Sequence, residues 1–265
     1  LGSHNWDNTT DTEPRMIVPG FPPQLQQLCG PGTRLRRYEG SFFVDENHAR
    51  MPDDPMEPLF RAVQLCSPDF DWEGVDIITV RNSPRKIMKL AGGAGGGPYD
   101  EEHFEIMGDR RLGPRSPRVL TRCEDVDMAP ASGYGHEFER VLTTQAAGSE
   151  FGSYRRIIKM RIGTVTVAVR SEVDAGRTTH GAAASGPGRV APWSGGGRLA
   201  ASRNGPETVV ELKTKNQRYA HEFEWGGVYL QMVLGGVDGL VIGWHNRGVV
   251  ARMEVLTQAE VRAPR

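Results

Sequence analysis

The sequence predicts a mixed α/β domain, and three observations carry that expectation. Two β-rich runs, Arg156 to Ile162 and Val165 to Val173, flank Gly163-Thr164 in the manner of a tight hairpin. Segments with helical spacing lie on either side of it, at Pro58 to Leu65, Ser132 to Thr144 and Tyr219 to Leu234. A chain of 265 residues, 38% hydrophobic and 25% charged, is long enough to bury a core around such elements without staples.

The elements follow in order. Residues 1 to 33 are Pro-rich and polar with no sustained period, which predicts an arm lying on the domain, and Leu1-Gly2-Ser3-His4 reads as a tag scar. The single domain is expected over residues 34–265. Leu35, Tyr38, Phe42 and Phe43 alternate in a way compatible with strand or turn, and Leu59, Ala62, Val63 and Cys66 share a helical face. Val75 to Val80 is a β-branched strand with Arg81 at its exit. Residues 91–98 (AGGAGGGP) lack the Lys-Ser/Thr pair of a phosphate loop and read as a flexible connection. Phe138, Val141 and Leu142 line one side of the helix at 132–144, with Glu139 following the aromatic. After the hairpin, the Gly, Ala and Ser of 176–206 predict a long mobile loop. Thr208 to Lys213 resumes as strand, the helix at 219–234 stops at Gly235-Gly236, and Leu240 to Trp244 with Val249 to Leu256 form a closing strand pair.

Charge and cysteine usage remove some functions. A net charge of −1 excludes a generally basic nucleic-acid coat, so any nucleic acid must be held by a local basic site. The three cysteines, Cys29, Cys66 and Cys123, show no CxxC spacing and predict a reducing, intracellular setting. Gln231, Asp238 and two Gly-Gly pairs interrupt the apolar run from Gly226 to Trp244, so no membrane partner is expected. The seven histidines form no HxH or HExxH pattern and offer no ligand set.

Two short patterns carry chemistry. Glu172-Val173-Asp174 at the end of the hairpin would point two carboxylates to one strand face, ~7 Å apart. Glu211-Leu212-Lys213 would present an acid and an amine on a second strand, opposite the first pair if the strands are neighbours. Clustered carboxylates repel one another unless a cation sits among them, and an oxygen-only donor set favours Mg²⁺ or Mn²⁺ over zinc. A metal there polarises a phosphoryl oxygen and activates water, while a nearby lysine neutralises developing charge. That is the logic of phosphodiester hydrolysis.

The ordered set VRNSPRKIM (80–88), GHEFE (135–139), EVDA (172–175), ELKTK (211–215) and YLQMVLGGVDGLVIGW (229–244) resembles the DXO family of RNA decapping and exoribonuclease enzymes, fungal-type members included. The likeness spans roughly residues 34 to 256. It implies a nuclease core of the PD-(D/E)XK kind, with mixed sheets flanked by helices. It also implies one or two Mg²⁺ or Mn²⁺ ions held by Glu139, Asp174, Glu211 and the Leu212 carbonyl, with Glu172 bound directly or through water. Lys213 and Gln231 would face the scissile phosphate and attacking water, and Arg81 would contact phosphates of the RNA 5′ end. Glu172, Asp174, Glu211, Lys213 and Gln231 are thus the expected catalytic set. Two positions depart from the pattern: Asn82 replaces the glycine usual after the arginine, and His136 takes an apolar position of the helix motif.

The implied activity is hydrolysis at RNA 5′ ends, by removal of incomplete or NAD caps, pyrophosphohydrolysis or 5′→3′ exonuclease action. The alternative is a catalytically weak protein that binds RNA 5′ ends or activates a 5′→3′ exoribonuclease partner, and the resemblance favours the nucleus over the cytoplasm. Arg34, Arg36, Arg37, Arg155 and Arg156 could follow an RNA backbone, although a solvated face explains them more simply.

Overall fold

Strand-forming residues at the expected hairpin build β10 (Tyr154–Ile162) and β11 (Val165–Glu172), antiparallel from Arg155 opposite Glu172 to Ile162 opposite Val165. Gly163 takes the positive φ of 61° that the two-residue turn requires. The computed structural model describes residues 1–7, 15–18, 20, 22–26, 28–40, 56–91, 103–108, 118–123, 131–144, 154–178, 190–192 and 207–262. Within them the hairpin lies at the centre of an eight-stranded sheet. On one side β11 pairs in parallel with β5 (Ile77–Val80), which pairs in parallel with β7 (Arg118–Cys123), and β6 (His103–Gly108) closes that edge. On the other side β10 pairs with β1 (Gly2–Asp7), followed by β2 (Arg15–Ile17) and β13 (Val190–Pro192).

A second sheet of six strands is built on β14 (Glu207–Asn216). It runs parallel to β15 (Gly239–Asn246), which turns back into β16 (Val249–Thr257). Arg247 and Gly248 both have positive φ, 48° and 85°, the mirror-image turn that matches strand twist. On the other flank of β14 lie β12 (Ala175–Thr178), β3 (Gln24–Leu25) and β9 (Thr143–Thr144). A separate pair joins β4 (Tyr38–Gly40) to β8 (Ala131–Gly133).

Alternation sorts the side chains into three buried clusters. Helix α1 (Glu57–Cys66) packs Leu59, Ala62 and Val63 against Ile78, Ile157 and Ala168 of the large sheet. Helix α4 (Trp225–Gly235) packs Val228 and Met232 with Val209, Leu240, Ile242 and Trp244 on one face of the smaller sheet, and it also touches β11. Helix α3 (Gly135–Leu142) covers the opposite face through Phe138 and Leu142 with Val210, Leu212 and Val241. Alpha-carbon hydrogens alone separate α3 from the sheet at Gly243, where a methyl group would stand 2.7 Å from Phe138 Cζ. Gly243→Ala is therefore expected to cost about 1–3 kcal/mol by overpacking, read as a lowered urea midpoint with an unchanged slope.

Four expectations are corrected. Residues 2–7 are not an arm or a scar but an inner strand, with His4 and Asn5 fully buried and Ser3 Oγ donating to Gly20 O. A short polar segment shows no period, yet pairing on both edges satisfies its backbone. The helix expected over 219–234 is a 3-10 turn, Gln217–Glu222, followed by α4, because Phe223 is extended and stacks on Trp225 and Trp244. Within the expected loop at 176–206, residues 176–178 and 190–192 are strands, while 179–189 and 193–206 lie outside the described residues. Ala91 ends helix α2 (Asn82–Ala91), a helix the sequence reading did not expect, and 92–98 lie outside the described residues. Of the tryptophans, Trp72 packs in the α1 cluster, and no described helix is long and apolar enough to cross a membrane.

Candidate active site at the junction of the two sheets

The chain passes from the large sheet to the small one between Glu172, the last residue of β11, and Ala175, the first of β12. Asp174 sits at this crossing. Its Oδ2 accepts the Leu212 backbone N–H at 2.8 Å, extending the β12–β14 register in which Ala175 faces Val210. Glu211 and Lys213 alternate with Val210 and Leu212, whose side chains are committed to the α3 cluster. The polar pair therefore points into the space between the sheets, on the α4 side with Val209.

Arg81 enters that space from the large sheet. Its N–H continues the parallel ladder by donating to Arg170 O at 2.9 Å, and its side chain crosses to the other sheet. There Nη1 donates to Glu211 Oε2 at 2.8 Å, while Lys213 Nζ donates to Oε1 at 2.6 Å. Both oxygens of a fully buried carboxylate are thus held by protein cations. Lys213 Nζ also stands 4.0 Å from Asp174 Oδ2.

Charge is distributed unevenly among these groups. Burial alone would raise the Glu211 carboxyl, but Arg81 and Lys213 outweigh it and hold the group below its ordinary value. Burial would lower the Lys213 ammonium, and Glu211 with Asp174 raise it instead. Asp174 is the opposite case: burial first, then the neighbouring Glu211 charge, push its carboxyl up to about 8 against the pull of Lys213. Glu139 adds to that push, and the Leu212 N–H opposes it.

The expected set is brought together in part. Asp174, Glu211, Lys213 and Arg81 converge. Glu139 stands on α3, 39% exposed and 3.8 Å from His136 Nδ1, close enough to act on Asp174. Gln231 is buried on α4 one turn before Gly235, on the helix face where Arg81 lies 3.4 Å from the Gly235 Cβ position. Glu172 is a correction: it closes β11 opposite Arg155, exposed and in the other sheet, so it does not share a strand face with Asp174. Nor are the two acid-bearing segments whole facing strands, because only the 175–178 part pairs with β14.

Sequence reasoning missed some neighbours. Arg156 is not simply solvated; it donates to Gly236 O at 3.3 Å, past the end of α4. Ser171, its partner across the hairpin, and Ser83 bury hydroxyls with no hydrogen-bond partner among the described residues. Nothing in composition or period marks either serine. His136, at the apolar position of the helix motif, is exposed, so the departure costs no core packing.

The oxygen donors fit a hard divalent cation in chemistry, since the raised Asp174 carboxyl marks negative charge that Lys213 and Arg81 leave unmet. Among the described residues no three His, Cys, Asp or Glu side chains stand together as a ready metal set, because Glu211 is turned to Arg81 and Lys213.

Comparison with known proteins follows this geometry. No curated protein matches the chain in sequence. In structure it is similar to S. pombe Rai1 in complex with 3′-FADP, at a TM-score of 0.61 and 15% identity over 98% of this chain and 74% of that one. It is similar to K. lactis Dxo1 in complex with manganese, at a TM-score of 0.60 and 12% identity over 98% and 69%. A Scheffersomyces stipitis Rai1 bound to 3′-NADP⁺ and calcium gives a TM-score of 0.52 and 17% identity over 78% and 58%. These likenesses establish the mixed-sheet nuclease fold that the DXO-family resemblance implied. A family model described as "Domain of unknown function (DUF8563)" matches residues 1–253, and the chain belongs to that family.

Proposed function

We propose that the protein is a metal-dependent hydrolase of RNA 5′ ends, and the observation that carries this reading is Asp174. A carboxyl pushed up to about 8 beside a second, charge-compensated carboxylate and a lysine is what a hydrolytic centre requires and a scaffold does not. Support comes from the fold shared with Rai1 and Dxo1 and from the nucleotides, manganese and calcium in those structures.

Glu139, Asp174, Glu211 and the Leu212 carbonyl would hold Mg²⁺ or Mn²⁺, with Glu172 reaching it only through water. Bound there, the ion supplies Lewis-acid polarisation of the phosphate and a more acidic water. The chain's own groups do the rest. Lys213 places a cation where charge develops on the phosphate, next to Asp174 and Glu211. Gln231 orients water or phosphate from α4, and Arg81 binds the 5′ phosphate through its planar fork. The RNA 5′ end is the proposed ligand; a 5′→3′ exoribonuclease partner and a nuclear location rest on resemblance.

Short RNAs that differ only at the 5′ end (hydroxyl, monophosphate, triphosphate, unmethylated cap, methylated cap, NAD) test this with Mn²⁺. Release of pyrophosphate, a cap fragment, NAD or nucleotides is the expected result, and the preferred end defines the activity. RNA that binds yet stays intact at every end overturns hydrolysis and favours a 5′-end-binding protein.

A further inference from the structure

The buried contact between Arg81 and Glu211 does more than join two sheets. Glu211 is the carboxylate the proposed reading assigns to the metal, yet both its oxygens already accept hydrogen bonds, from Arg81 at 2.8 Å and Lys213 at 2.6 Å. A carboxylate saturated by two cations is a poor ligand for a third. One of the two must withdraw before Glu211 can serve.

Lys213 has reason to stay. It is anchored on the same strand as Glu211, and Asp174 Oδ2 stands 4.0 Å away as a second partner. Arg81 is the group free to leave. It comes from a different sheet, at the end of β5, and it meets Glu211 through a single donor atom. Its path runs along Gly235, where the absence of a side chain leaves room: a methyl would lie 3.4 Å from both Cδ and Nη1. A guanidinium held by one contact and bordered by a glycine can exchange a carboxylate for a phosphate, which its fork fits better.

We propose that the Arg81–Glu211 ion pair is a latch that keeps Glu211 from the metal until an RNA 5′ phosphate draws Arg81 away, so that metal loading and 5′-phosphate recognition are linked through one side chain. This rests on the proposed function. Linkage is reciprocal: metal frees Arg81 for phosphate as phosphate frees Glu211 for metal. An RNA lacking a 5′ phosphate would then leave the protein metal-poor as well as weakly engaged.

Mn²⁺ affinity, measured by calorimetry or by electron paramagnetic resonance without nucleic acid, tests the latch. Arg81→Gln is expected to bind Mn²⁺ more tightly than the wild type, within the roughly 5- to 150-fold range of linked sites. Arg81→Lys, which keeps the charge, is expected to stay near the wild type and serves if the glutamine variant melts. In the wild type, a non-cleavable RNA with a 5′ monophosphate should tighten Mn²⁺ binding relative to its 5′-hydroxyl twin, and Arg81→Gln should lose most of that difference. Equal or weaker Mn²⁺ binding by a folded Arg81→Gln overturns the latch while leaving the proposed hydrolase standing. Absence of Mn²⁺ binding in both proteins overturns the latch and the hydrolase together.

Discussion

Replacing Glu211 by alanine is expected to destabilise the protein by about 3–5 kcal/mol, the usual penalty for leaving buried partners of an ion pair uncompensated. Two partners are stranded at once. Arg81 is only 11% exposed and Lys213 30%, so neither can hydrate fully where it stands. The loss also removes the contact that ties β5 to β14 across the two sheets. Urea denaturation followed by circular dichroism reads the effect directly. A shift smaller than about 1 kcal/mol would mean that the junction relaxes to admit water, in the manner of a surface pair. Glu211→Gln keeps the shape and part of the hydrogen bonding, and should fall between the two proteins.

The second large effect lies in pH. Asp174 has an ordinary value of 3.8 in the unfolded chain and about 8 in the fold. Between those values the folded state keeps a proton that the unfolded state has released, so stability falls as pH rises through that window and levels off above about 8. The slope is at most about 1.4 kcal/mol per pH unit. Glu211 works in the other direction, but its lowered carboxyl acts below its ordinary 4.5 and so acts on the acid side of most of that window. Asp174→Asn resembles the protonated acid in shape and should abolish the decline between pH 5 and 8. Melting curves with a chelator present compare the two proteins. A wild type with the same slope as Asp174→Asn would show that Asp174 is already ionised in the fold.

Much of this was legible in the sequence, and the reasons are specific. The hairpin of Tyr154–Ile162 and Val165–Glu172 could be read because alternation, β-branching and Gly163 agree. Glu211 and Lys213 were placed correctly on one face because β14 is unbroken from Glu207 to Asn216. Glu172 and Asp174 obey the same spacing yet part company, since the strand ends between them and the chain changes sheets. Periodicity holds only within one strand, and no local signal marks where a strand leaves its sheet. The inner strand at Gly2–Asp7 was hidden for a related reason: its stability comes from pairing with segments some 150 positions away, Gly2 with Ile157 among them. Helix α2 escaped notice because Pro84 looks like a breaker, although a proline in the first helical turn displaces no hydrogen bond. The Arg81–Glu211 contact is invisible in sequence, joining residues 130 positions apart.

The most direct test of a hydrolytic centre at this junction is cleavage of the preferred 5′-end RNA in oxygen-18 water with Mn²⁺, with wild type and Asp174→Asn side by side and products weighed by mass spectrometry. The wild type should release its fragment with one oxygen-18 atom on the newly formed phosphate, and the folded Asp174→Asn should release none. Cleavage that persists in Asp174→Asn would place the chemistry elsewhere in the molecule.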